Sequence, residues 1–102
     1  MGQYVIARSV NAGVFAGELA APVTELGDGT PLPSVTLTGA RRLWYWDGAA
    51  SLSQLATEGT SRPKGCKFPA EVAQVVLMGV CEVLAVTGAA RASIAAVPAW
   101  SA

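Results

Sequence analysis

At 102 residues the chain has room for one domain and one core. Seven Lys and Arg balance seven Asp and Glu, a formal charge of zero that argues against an indiscriminate binder of nucleic acid or membrane surface, because such binders neutralise many phosphates. No histidine occurs, which excludes a histidine zinc site and any His-dependent dyad or triad.

The first predicted elements are strands at "YVIAR", residues 4–8, and "VFAGELA", residues 14–20, joined by the turn residues of "SVNAG" as an antiparallel hairpin. Gly17 inside the second marks a bulge or a close backbone approach. The stretch "APVTELGDGTPLPS", residues 21–34, holds three of the six prolines and reads as an exposed loop with "GDG" as its turn. Strands follow at about 35–38, "VTLT", and 40–46, "ARRLWYW", where β-branched and aromatic residues gather. An extended "ARRLWYW" directs Arg41, Leu43 and Tyr45 to one face and Arg42, Trp44 and Trp46 to the other.

A change of period after "DG" predicts a short helix at 51–58, with Ser51 and Gln54 as a capping box and Gly59 at its end. "TSRPKGCKFP" is a second loop carrying Arg62, Lys64 and Lys67. Strands at 71–77 and 79–86 are separated or bent near Gly79. Thr87 caps a helix over 88–96 that Pro98 stops, and Trp100 can fold back onto the core. The expected fold is α+β: a small twisted antiparallel sheet or partly open barrel of five to six strands with two short helices.

No apolar run approaches the ~18–20 residues of a bilayer span, and "MGQYVIARSV" lacks the basic start and apolar stretch of a signal peptide. No membrane association and a cytoplasmic location are therefore expected. Cys66 and Cys81 are too few for a disulfide framework and are expected to be reduced, one or both buried. Apolar residues make up 52% of a chain with limited interior, so a homo-oligomer is expected.

The seven carboxylates are spread along the chain, and no nucleophile elbow, Walker loop or dinucleotide fingerprint is present, so no catalytic residues and no cofactor or metal are assigned. The candidate ligand-binding residues are Arg41, Arg42, Trp44, Trp46, Phe68 and Arg91. A guanidinium binds phosphate with two parallel hydrogen bonds, and an indole face stacks on a base with about 1–3 kcal/mol. The competing reading packs Trp44 and Trp46 into the core, with Arg41 and Arg42 lying over rings or pairing with Asp47 and Glu58. Arg91 either reaches the same pocket or a neighbouring subunit, or is a solvated helix residue.

The segments "SVNAGVFAGEL", "ARRLWYWDGAASLSQLATEG", "CKFP" and "ARASIAAVPAW" resemble a family of small phage and prophage proteins of unknown function. The resemblance implies a phage origin. Two roles fit such a protein: a counter-defence sponge that sequesters a cyclic ADP-ribose isomer or cyclic oligonucleotide without cleaving it, in the manner of Thoeris and CBASS inhibitors, or a virion component such as a capsid decoration or tail-associated subunit. The first expects a small nucleotide-like ligand and no extended nucleic acid, in the host cytoplasm.

Overall fold

The computed structural model describes residues 3–9, 13–20 and 34–100. Five strands, β1 (Tyr4–Ser9), β2 (Gly13–Leu19), β3 (Val35–Arg42), β4 (Val72–Leu77) and β5 (Val80–Ala85), form one antiparallel sheet in the order β4-β3-β2-β1-β5. Two helices, α1 (Leu52–Glu58) and α2 (Gly88–Ala96), complete the α+β domain. The predicted "GDG" turn, residues 21–33 of the proline-rich loop and the tip of the first hairpin lie outside the described residues.

β4 and β5 are consecutive, yet they occupy opposite edges of the sheet. Leu77 pairs with Val35 at the start of β3, and Val80 pairs with Ser9 at the end of β1. Three residues of chain reach at most about 10–11 Å. The sheet must therefore curl until two diagonal corners meet, although it does not close. Gly79 makes the corner with φ of 69°, and Ser9 Oγ donates to the Met78 carbonyl at 2.6 Å.

Alternation along the strands divides the apolar residues between two faces. Val5, Ala7, Phe15, Val35, Leu37, Ala40, Leu77 and Val80 form one core cluster. Ile6, Ala16 and Leu43 face the helices, packing with Leu55, Ala56, Cys66, Phe68, Ile94 and Val97. The two stretches read as separate strands at 35–38 and 40–46 are one strand that ends at Arg42, and a bulge at Gly39 changes its parity. Opposite the bulge, a Cβ on Gly17 would stand 3.1 Å from the Ala40 Cα and 3.2 Å from Thr38 O, so a larger residue would push β2 and β3 apart by a few tenths of an ångström. The bulge leaves Leu37 and Ala40 in the first cluster and places Arg41 on the helix side.

Both helices start on side-chain caps. Ser51 Oγ accepts from Gln54 N at 3.2 Å, while Gln54 Oε1 reaches back to Ala50 N at 2.7 Å. Thr87 Oγ1 accepts from Ala90 N at 3.0 Å and donates to Thr57 O at 2.7 Å, so one hydroxyl caps α2 and ties it to the end of α1. Leu43 N still donates to Val14 O of β2, and beyond it the chain turns to a new partner: Trp44 N and Tyr45 N both donate to Lys67 O, and Lys67 N donates to Tyr45 O. This switch ends the strand four residues earlier than its composition predicts.

Candidate ligand pocket

Tyr4, Glu18 and Thr38 are register partners across β1, β2 and β3, and they line a pocket of about 480 Å³ under the C-terminal half of α2. Arg91 and Ala95 of α2 form one wall, and Ala70 and Glu71, just before β4, form part of another. The volume lies within the range of small-ligand sites, roughly 300–1,000 Å³.

Arg41 stands at the back of this pocket and is only 7% exposed. Its Nε donates to Pro69 O at 3.0 Å, Nη1 to Ile94 O at 2.9 Å, and Nη2 to Phe68 O at 3.0 Å and Val97 O at 2.6 Å. Four of the five guanidinium N–H donors are thus committed to backbone carbonyls. Two of those carbonyls close α2, where a cation is favoured by the helix dipole. Burial draws the Arg41 pKa below the ordinary guanidinium value, while Tyr4 and Glu71 oppose that shift. Arg41 is therefore the pin between β3, the Phe68–Pro69 segment and the end of α2, with one donor left for anything else.

Arg91 is differently placed. Its guanidinium lies over the Tyr4 ring at 4.6 Å and meets Glu18 Oε2 at 3.5 Å, with both side chains partly exposed. An exposed pair of this kind contributes little stability, about 0–1 kcal/mol, so Arg91 can exchange partners at small cost. Burial raises the Tyr4 phenol above its usual range, more than Arg91 lowers it. Among the described residues, no hydrogen bond or ion pair holds the Tyr4 hydroxyl or the Glu71 carboxylate.

Of the six residues singled out in the sequence, the pocket brings together Arg41 and Arg91. Phe68 is fully buried in the helix-side core, 5.6 Å from the Arg41 guanidinium, and presents no face to a ligand. Arg42 points to the opposite side of the sheet, where it stacks 4.4 Å above the Phe15 ring, not on Asp47 or Glu58. Trp44 is 63% exposed outside the pocket, and Trp46 packs half-buried against the helix-side core. Strand alternation thus does not unite Arg42, Trp44 and Trp46, because the strand stops before the tryptophans. Asp47 pairs with Arg62 instead, at 3.8 Å.

Tyr4, Glu18 and Glu71 were not singled out from the sequence. Their signal is only indirect: Tyr4 and Glu18 stand on the strand positions that alternate with the first core cluster. Cys66 is buried and Cys81 exposed, both as free thiols. Among the described residues no three metal-ligating side chains cluster, and no helix is long and apolar enough to cross a membrane.

These features define a small α+β domain whose curled antiparallel sheet carries a mixed-charge pocket beneath its last helix. Residues 2–94 match the family described as a domain of unknown function, DUF6948, and the chain belongs to that family. No curated protein and no solved structure matches it.

Proposed function

We propose that this domain binds a nucleotide-derived signal in the Tyr4–Arg91 pocket and sequesters it without cleavage, as a phage counter-defence protein acting in the host cytoplasm. The observation that carries the reading is Arg91, a guanidinium held over an aromatic ring at the mouth of a 480 Å³ pocket by a weak, exchangeable ion pair. A phosphate replacing Glu18 would gain a charge-assisted, two-pronged hydrogen bond. The phage role rests on the resemblance of the "RRLWYWDGAASLSQLA" run and on an activity that asks for affinity and no acid-base group.

The test is a thermal-shift panel of cyclic mono-, di- and trinucleotides and cyclic ADP-ribose isomers. Ligand at 100 times its dissociation constant stabilises the fold by about 2.7 kcal/mol, which is a shift of roughly 10–20 °C for a domain of this size. Arg91→Ala is expected to abolish the shift, and Arg42→Ala to leave it intact. A panel without any shift refutes the proposal.

A second reading, a subunit of a larger particle, draws on one observation. β4 is an edge strand that leaves Val72 and Val76 exposed, followed by exposed Met78, with no lysine or proline within it to discourage pairing. Antiparallel addition of a second β4 would also supply the homo-oligomer expected from composition. A mass measurement at micromolar concentration, and a search for the protein in purified particles, separate the two readings.

A further inference from the structure

Building on that reading of the pocket, we infer that Glu71 accepts the vicinal hydroxyls of a ribose, so that the site takes a ribonucleotide unit with a free 2′,3′-diol. Arg41 and Arg91 bring two positive charges to the pocket, and Glu18 and Glu71 bring two negative ones. A site built for a bare polyphosphate would not carry two carboxylates, because like charges at such a site cost affinity. A balanced site suits a ligand that offers an anion at one end and hydrogen-bond donors at the other.

The two carboxylates are not equivalent. Glu18 is occupied by Arg91 at 3.5 Å and so neutralises a cation that the ligand's anion can take over. Glu71 is exposed, has no cation within ion-pair distance among the described residues, and lies against Gly39. A Cβ on Gly39 would stand 3.3 Å from Glu71 Oε1, and the φ of 54° at that bulge also favours glycine. The carboxylate is thus lodged beside the bulge that forms the pocket's edge. An ionised carboxylate only accepts hydrogen bonds, and its two oxygens match two donors on adjacent carbons.

The remaining groups fit the same ligand. The Tyr4 hydroxyl, without a protein partner, can donate to or accept from the sugar, and Arg41 keeps one N–H. Arg91 then takes the phosphate after leaving Glu18. This orientation excludes linkages that consume both ribose hydroxyls and disfavours ligands whose 3′-oxygen is esterified.

The experiment is a ligand-by-residue cycle with wild-type protein and Glu71→Gln, measured by titration calorimetry. The probes are adenosine 5′-monophosphate, ADP-ribose, 2′-deoxyadenosine 5′-monophosphate, 3′,5′-cyclic AMP and cyclic di-AMP. Wild type is expected to bind the two diol-bearing probes at least tenfold more tightly than the other three. Glu71→Gln should weaken the diol-bearing probes by tenfold or more and change the others by less than twofold. Equal weakening of all probes, or uniform tightening because a repulsive charge has gone, overturns the role of Glu71 while the nucleotide-binding proposal stands. Binding by wild type of none of these probes, nor of the wider panel, overturns both. Glu71 is exposed, so the Gln variant is expected to keep the parent melting temperature, which confirms that the comparison is between folded proteins.

Discussion

Replacing Arg41 by Ala tests whether this arginine is a structural pin or a free ligand group. The variant loses four hydrogen bonds, but the four carbonyls do not suffer equally. Phe68 O also accepts from Trp100 N at 3.0 Å, and Ile94 O also accepts from Val97 N at 3.2 Å. Pro69 O and Val97 O retain no other partner among the described residues. A buried polar group left unpaired costs about 1–3 kcal/mol, so the expected loss is about 2–6 kcal/mol. That is a large part of the ~5–15 kcal/mol stability of an ordinary domain. In urea denaturation followed by tryptophan fluorescence, with a slope of about 1–3 kcal/mol/M, the midpoint should fall by about 1 M or more. Arg41→Lys keeps the charge but gathers its donors at one point, so it should recover about half of the loss. A midpoint within about 0.3 M of the parent for Arg41→Ala, combined with lost ligand binding, would refute the structural assignment.

Phe68→Ala should cost about 3–5 kcal/mol by opening a cavity in the helix-side core, whereas Trp44→Ala, at a largely exposed position, should cost under about 1 kcal/mol; paired melts check the contrast. A thiol reagent should label Cys81 rapidly in the native protein and Cys66 only on unfolding, read by intact mass; rapid double labelling of native protein would contradict the buried placement of Cys66. Because the folded-state pKa of Tyr4 is raised above 10.0, the unfolded chain loses this proton first. Stability from this group is therefore full below pH 10 and declines as pH rises through the higher folded value, and Tyr4→Phe should soften that decline in alkaline melts. Thr87→Ala should destabilise by about 1–2 kcal/mol, since it removes the α2 cap together with the bond to Thr57 O.

The elements near local signals were legible. Ser51, Gln54 and Gly59 bound α1 as read, and Thr87 starts α2 as read, because capping is a property of four or five neighbouring residues. Strand content was legible from β-branched residues, but its extent past Arg42 was not. Which partner a backbone N–H finds depends on Lys67, more than twenty positions away in sequence. The parity change at Gly39 was hidden for the same reason: it answers the close approach of Gly17 on the neighbouring strand. For the site, the arginines were visible as residue types, and their roles were not. The sequence "SIAAVPAW" ends α2 without glycine or a basic residue in its last turn, and that missing closure was the available hint that Arg41 serves it from β3. Tyr4, Glu18 and Glu71 come together only through the register of three strands and the entry to a fourth.

The corner at Gly79 also sets a timetable for assembly. β1 has β2 beside it early, but its other edge waits for β5, and Val5 meets Ala85 only after 80 further positions have been added. Likewise β3 keeps a bare edge until β4 arrives. During synthesis at about 5–20 residues per second, the three-stranded meander therefore spends seconds with both margins open to any extended peptide. β4 and β5, joined through the corner at Gly79, then cover the margins of β3 and β1 and become the new edges of the sheet. Truncations that stop before residue 72 should be recovered as aggregates, and a prematurely stalled chain would be a substrate for chaperones, not a smaller version of the fold.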